Sequence, residues 1–459
     1  MARNRVIYQS QALFIAPSST GVQVSGVAAD GSGPTSTPFK PVAGNTGSLG
    51  SGISLLKKLD RIQSCNFNFT INRQDINEFG KLARLDSIVM ESPTVGLDFS
   101  YYVTDGYNER LLGFNITGDA GLGALIDNNT VNGAQAISGL MADLQGNNYY
   151  ILTVDEGEDV VGGTLAPSST VVGIGNGFIT EYAFEAAVGS VPTASVTVEA
   201  FNIKSDASEV PISLTASGPN VPAGTTVAAD ITYLSGFSPA IDIVSQPATK
   251  LTSLEKAYKL DYSRNFTDAS IKNAAGVNFT GFTTGTSSVS ALRPGDIVLT
   301  LPTAEGLTNL TDAHVQSFSF TLPLSRTILQ RLGNTFGFAR VIDVPINMDV
   351  SVSAIVSELR DQNLFDLLVT PTKRDFTITL NNSASTATPK ITYAIKGAIL
   401  QTETYSENLG DNQTVDLTYT VQIGGANDTS NGVFMSGSYK NSLDSITSGF
   451  FKLGTGKLG

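Results

Sequence analysis

Tryptophan is absent, and cysteine and histidine occur once each, as Cys65 and His314. A single cysteine excludes an intrachain disulfide framework, and without Cys or His clusters a structural zinc site has no ligands. A Cys–His dyad is formally available, but Cys65 lies on the apolar side of an alternating stretch, where a small buried hydrophobe is the simpler reading. His314, close to Asp312, reads as a surface residue where a strand begins. Charge is scarce too: Asp, Glu, Lys and Arg make up 15% of the 459 residues, and the formal net charge is −13. That balance removes the basic patch which tight, counterion-releasing binding to nucleic-acid phosphate requires. It suits a surface past which DNA slides without sticking. No apolar run is long enough to span a bilayer as a helix. The stretch Ala12-Leu13-Phe14-Ile15-Ala16, after Arg3 and Arg5, is too short for the core of a secretory signal, so the expectation is a chain made in a cytoplasm without membrane insertion.

Long helical periodicities are also lacking. Turn signals take their place at Asp30-Gly31, Asp105-Gly106, Asn132-Gly133, Asn176-Gly177 and Asn431-Gly432, in a chain rich in Gly, Ser, Thr, Asn and Val. Many short strands follow from this, giving an all-β fold with short helices. The acidic run Asp155-Glu156-Gly157-Glu158-Asp159 lacks the ligand alternation of a calcium loop and reads as a solvated loop tip. Gly173-Ile174-Gly175-Asn176-Gly177 neither opens a helix nor carries a lysine, so it reads as a turn and not a phosphate cradle. Asn-X-Thr triplets at Asn115, Asn278 and Asn309 are expected by chance in such a composition. The reading is a chain without catalytic residues, metal or cofactor, and not an enzyme.

What is present is a passage that occurs twice. Ile62-Gln63-Ser64-Cys65-Asn66-Phe67-Asn68-Phe69, closing on Arg73 and Gly80, returns as Val315-Gln316-Ser317-Phe318-Ser319-Phe320-Thr321-Leu322, closing on Arg326 and Gly333. The offset is constant at 253 (316 − 63). In both copies apolar and polar residues alternate as in a strand with one buried face. The segment after it has apolar residues at helix-like spacing, Ile76, Phe79 and Leu82 or Ile328, Leu329 and Leu332, which predicts a short helix or turn ended near Gly80 and Gly333. A second alternating strand follows Pro93 (Val95, Leu97, Phe99, Tyr101) and Pro345 (Ile346, Met348, Val350, Val352). Its offset falls to about 251, which matches Asp98 with Asp349 on the solvent-directed face. Further on, Gly177-Phe178-Ile179 with Val196–Ala200 resembles Gly397-Ala398-Ile399 with Leu417–Val421. Three blocks in one order indicate an internal duplication.

The organisation expected is an N-terminal arm over 1–60, a first repeat over 60–205 with an insertion near 118–163, bridging strands over 206–311, a second repeat over 312–425 and a C-terminal arm over 426–459. Both arms are Gly- and Ser-rich.

The run Gln316-Ser317-Phe318-Ser319-Phe320, then Arg326, Leu332-Gly333, Ala339-Arg340 and Asp343-Val344-Pro345-Ile346, resembles the tube-forming major tail proteins of tailed bacteriophages. The first repeat keeps Gln63-Ser64, Arg73, Gly80 and Pro93, but Ser87-Ile88-Val89-Met90-Glu91 departs from the Arg-x-Ile-Asp-x-Pro element of the second. The resemblance covers about half the chain and rests on strand faces and turns. It implies two tandem β-sandwich or partial-barrel domains whose strands close an inner β-barrel in the oligomer. Six such domains per ring would mean a trimer of this chain with pseudo-sixfold symmetry, stacking into a conduit for double-stranded DNA. It further implies other tail proteins as partners and a place in the virion tail after assembly in the host cytoplasm. In that setting Asp98 and Asp349 are candidates for the lumen. Phe67, Phe69, Phe99, Phe320, Leu322 and Val350 would fill the sandwich. Arg73, Gly80, Pro93, Arg326, Gly333 and Pro345 carry the motif. Two other classes compete: a baseplate, capsid-associated or receptor-binding β protein, which would show a concave aromatic cluster and no ring closure, and a β-rich hydrolase, whose paired carboxylates would converge in a cleft.

Overall fold

The computed structural model describes residues 11–17, 22–23, 26–27, 34–35, 54–116, 126–127, 130–131, 135–141, 146–154, 170–206, 212–213, 232–234, 256–261, 292, 297–300, 314–332, 337, 339–355, 373–382, 385–407, 412–425 and 428–437. Its strands used below are β1 (Gln11–Pro17), β2 (Ile62–Thr70), β3 (Arg73–Ile76), β4 (Asp86–Val89), β5 (Thr94–Tyr102), β6 (Asn147–Thr153), β7 (Thr170–Ala187), β8 (Thr193–Ala200), β9 (Asn202–Asp206), β10 (Ile297–Thr300), β11 (His314–Pro323), β12 (Arg326–Leu329), β13 (Ala339–Ile342), β14 (Asn347–Ile355), β15 (Arg374–Asn382), β16 (Ser385–Ser406), β17 (Thr414–Gln422) and β18 (Gly432–Gly437). Two short helices, α1 (Tyr107–Leu112) and α2 (Ser138–Met141), accompany them. The fold is all-β, as expected.

One antiparallel sheet runs β2–β5–β8–β7–β11–β14–β17–β16, using the C-terminal halves of the long strands β7 and β16. Alternation decides its faces. Val95, Leu97, Phe99 and Tyr101 on β5 and Met348, Val350 and Val352 on β14 are buried, while Asp98 and Asp349 between them are exposed. The N-terminal halves of β7 and β16 bend into two smaller sheets, β1–β6–β7–β9 and β10–β15–β16–β18. Tyr149 and Ile174 in one, and Ile378 and Tyr393 in the other, join the core cluster that the long sheet's apolar face also enters. Burial of that face supplies most of the stabilisation, about 1.5–3 kcal/mol for each large side chain fully removed from water.

The same connectivity appears twice in chain order: β1 to β9 and β10 to β18 have equivalent partners. Irregularities coincide as well. Register shifts skip Gln63 on β2 and Gln316 on β11, and Thr180 on β7 and Gln401 on β16. Each glutamine donates its side-chain amide to the carbonyl two residues earlier, Gln63 to Arg61 (3.1 Å) and Gln316 to His314 (3.2 Å). A bulge leaves a residue out of the ladder, and this bond accounts for the recurrence of a glutamine there. Where β7 and β16 pass between sheets, Asn176 (φ 54°) and Gly397 (φ 77°) take left-handed backbone at equivalent positions,.

Strand pairing corrects several expectations. Asn66 and Cys65 face Asp98 and Phe99, whereas Ser319 and Phe318 face Ser351 and Val352. Asp98 therefore corresponds to Ser351, and Asp349 to Gly96; the proline match suggested an offset two residues too small. The segments after the repeated strand are β-hairpins, β3–β4 and β12–β13. Helix-like spacing misled there because Phe79, Leu82 and Leu332 have no buried face at all. Gly80, at φ 92°, serves the first hairpin's connection; Gly333 lies outside the described residues. The Gly173–Gly177 segment is strand within β7, and Gly106 precedes α1. Within the expected arms, β1 is a body strand with buried Leu13, Phe14 and Ile15, and β18 pairs with β16. Asp155–Asp159 and the segment 438–459 lie outside the described residues, as do Asn278 and Asn309.

Candidate assembly interface

The two sets of strands meet where β7 pairs with β11. The register is Glu181 with Pro323, Tyr182 with Leu322, Ala183 with Thr321, Phe184 with Phe320, Glu185 with Ser319, Ala186 with Phe318 and Ala187 with Ser317. On the core side, Phe184 stacks on Phe320 at 5.5 Å between ring centroids, and Tyr393 lies 4.8 Å from Phe184 and 5.4 Å from Phe320. Such offset and edge contacts add to the area they bury.

Beneath this joint lies a buried polar cluster that the sequence did not suggest. The Glu109 carboxylate on α1 accepts hydrogen bonds from Tyr101 (2.9 Å) and Tyr182 (3.3 Å), and the Tyr182 and Tyr393 hydroxyls are 3.1 Å apart. Burial pushes the Glu109 carboxyl up to about 7 against the lowering effect of its hydrogen bonds,. The Tyr101, Tyr182 and Tyr393 phenols are raised well above their ordinary range, again chiefly by burial. Their members come from four separate stretches of chain, so no local spacing marks them.

A second contact crosses the same joint. Hairpin β12–β13 folds against the other set of strands: Arg326 donates to the Leu140 carbonyl (3.0 Å) and lies 5.0 Å over the Phe178 ring. Arg340 lies 4.2 Å over Phe201 and 5.8 Å over Phe178. It also donates to the Glu199 carbonyl (3.2 Å) and pairs with the Glu199 carboxylate (3.0 Å). Ile328 packs on Phe178 and Phe201. Burial draws the Arg340 guanidinium below its ordinary value, while Glu199 opposes that; guanidinium over aromatic faces is the reason arginine suits both places.

At the two ends of the long sheet the same elements have no such neighbours among the described residues. Among the described residues, strand β2 pairs only with β5, and the C-terminal half of β16 only with β17. Phe67 and Phe69 are therefore 46% and 60% exposed, although their equivalents Phe320 and Leu322 are 1% and 0% exposed. The expectation that Phe67 and Phe69 pack the sandwich is corrected for the single chain, because no strand among the described residues lies beside β2 as β7 lies beside β11. Hairpin β3–β4 projects with Arg73 exposed, where Arg326 is docked. Ile399, the counterpart of Phe178, is 37% exposed at the far end. Long unpaired edges with exposed aromatics invite strand addition.

The polar face of the long sheet carries Asp98, Glu181, Glu185, Asp349 and Asp416, with Ser, Thr and Asn between them, and at one margin Glu199, which is paired with Arg340. No lysine or arginine occupies its strand positions among the described residues. Thr420 donates to Asp349 (2.9 Å), and Ser64 and Ser100 share a bond of 2.6 Å. Pro93 and Pro345 stand just ahead of β5 and β14, and Pro345 follows a cis peptide. Cys65 is partly buried, its thiol pushed up to about 12 by burial and by Asp98. It lies strands away from His314, so the two form no dyad. Among the described residues no group of three Cys, His, Asp or Glu converges to hold a metal, and no helix is long and apolar enough to cross a membrane.

No protein-family model and no curated protein matches the chain. Among solved structures, a chain of the anti-feeding prophage (AFP) baseplate, from a 6-fold symmetrised cryo-EM structure, is similar at 14% identity. The likeness covers 31% of this chain and 91% of that one with a TM-score of 0.22, which is too slight to bear on function.

Proposed function

We propose that the chain is a structural subunit of a bacteriophage tail tube, assembling into rings that stack into a conduit for double-stranded DNA. The observation that carries this is the β7–β11 joint between two sets of like strands, together with the two open sheet ends where the same joint is left half-made. A contact between different surfaces of one molecule repeats from copy to copy, and closure into a ring removes the exposed edges. Three copies, each supplying two sectors, would give a threefold ring of approximate sixfold character, a number that rests on the resemblance to tail tube proteins and on an internal duplication. The acidic polar face, including Asp98 and Asp349, would line the lumen and repel DNA, so that the genome passes without binding. Hairpin residues that stay exposed even where the joint is made, Leu329, Val341 and Leu332, have equivalents in Ile76, Ile88 and Phe79. They are suited to contact a neighbouring ring.

This role needs no catalytic residue, metal or cofactor. It places the protein in the virion tail, after assembly in the host cytoplasm, in contact with other tail proteins. Native mass spectrometry tests the ring: a dominant species of three 48.1 kDa chains supports it, and monomers under all conditions contradict it. Rings that never stack would favour another ring-shaped virion part, such as a baseplate component.

A further inference from the structure

We infer that copies of this chain join with a defined register, in which β2 of one copy adds to the free edge of β16 of the next. This rests on the ring reading and specifies its contact. Transferring the internal joint through the matched positions of β7 and β16, and of β11 and β2, sets Thr402 opposite Thr70, Glu403 opposite Phe69, Thr404 opposite Asn68, Tyr405 opposite Phe67 and Ser406 opposite Asn66.

Three observations support that register. Parity agrees: Thr402, Thr404 and Ser406 meet Thr70, Asn68 and Asn66 on the polar face, while Tyr405 and Glu403 meet Phe67 and Phe69 on the other. A slip of one residue would turn both phenylalanines to the polar side. The bulges agree, since Gln401 on β16 and Gln63 on β2 stand where Thr180 and Gln316 bound the internal joint. The hairpin agrees as well. In the internal joint β12–β13 covers Phe178, and in the transferred one β3–β4 covers Ile399, with Arg73 in the place of Arg326. A slip of two residues keeps parity but carries the hairpin about 7 Å along the strand, away from Ile399. The same side chains that the single chain leaves uncovered, Phe67, Phe69 and Ile399, are those the transferred joint covers.

Disulfide trapping reads the register directly. In a Cys65→Ser background, Ser406→Cys and Asn66→Cys replace two exposed polar residues, so neither change disturbs the core. An equimolar mixture of the two single variants, oxidised, is expected to yield a covalent dimer. The register-shifted mixture, Ser406→Cys with Asn68→Cys, is expected to yield about tenfold less, because a disulfide tolerates little error in Cα separation. Glu185→Cys with Ser319→Cys in one chain, the equivalent internal pair, serves as the positive control and should close within the chain. Equal or greater trapping of the shifted pair, or trimers and rings without trapping of either, overturns the register while leaving the ring intact. Absence of both oligomers and trapping, with the internal control closed, overturns the two together.

Discussion

At the scale of single residues, Glu109 makes the sharpest prediction. Its carboxyl is held near 7 in the folded chain against an ordinary value of 4.5. The folded state therefore binds the proton more tightly than the unfolded one. The stabilisation is fully present below about 4.5, falls as pH rises, and is lost above about 7, a change on the order of 3 kcal/mol. Glu109→Gln keeps the acceptor for Tyr101 and Tyr182 and removes the titration. Its melting temperature at pH 8.5 is expected to exceed that of the wild type by a few degrees, with the two converging near pH 4.5; an unchanged profile would refute the assignment. Arg340 is next. Stripped of its guanidinium, Arg340→Ala leaves Glu199 without its cation and the Phe201 face without the cation stacked on it, and is expected to cost about 2–4 kcal/mol in urea unfolding. The sequence did show Arg340, as part of a motif, and Gln63 and Gln316, as a repeat. It showed nothing of Glu109, because hydrogen bonds among Tyr101, Tyr182 and Tyr393 are set by packing between distant strands.

The element scale separates the made joint from the open one. Phe320→Ala removes a ring buried between β7 and β11 and is expected to destabilise the chain by about 3–5 kcal/mol. Phe67→Asp changes the equivalent position on the open edge, where the isolated chain should lose no more than about 0.5 kcal/mol while self-association is abolished. Chemical denaturation and sedimentation of the two variants, side by side, check this crossing of effects. Hairpin apices form a third case: Phe79→Ser combined with Leu82→Ser and Leu332→Ser is expected to leave rings intact and shorten or eliminate stacks in negative-stain images. Strands were legible because alternation on β2, β5, β11 and β14 reports a one-sided face directly. The hairpins were not. Ile76, Phe79 and Leu82 are exposed in the single chain, and periodicity cannot distinguish a face buried by the chain from an apolar face left open. Asn176-Gly177 signals a turn in the sequence but lies at the bend of β7, since left-handed backbone serves a change of sheet as well as a hairpin.

For the whole molecule, one sheet contains the β7–β11 joint and, at its two ends, the equivalent strands without that pairing among the described residues. The chain's charge follows the same division. Apart from Glu199, which Arg340 of the docked hairpin pairs with, the carboxylates on the polar face have no lysine or arginine beside them in the strands of the long sheet, which suits a wall facing a polyanion. Lysine at Asp98 and Asp349 together should convert free passage into salt-sensitive retention of DNA by assembled rings, measurable as a shift that vanishes as salt is raised. The ring is what the resemblance over about half the chain implies, and the equivalence of β1–β9 and β10–β18 would set its geometry. The most direct test is single-particle electron microscopy of the purified protein viewed down the ring axis. Threefold rings around an open channel, with Asp98 and Asp349 on the inner wall and β2 beside β16 of the next copy, are the expected result. Compact monomers alone, or rings with those aspartates on the outer wall, would contradict it.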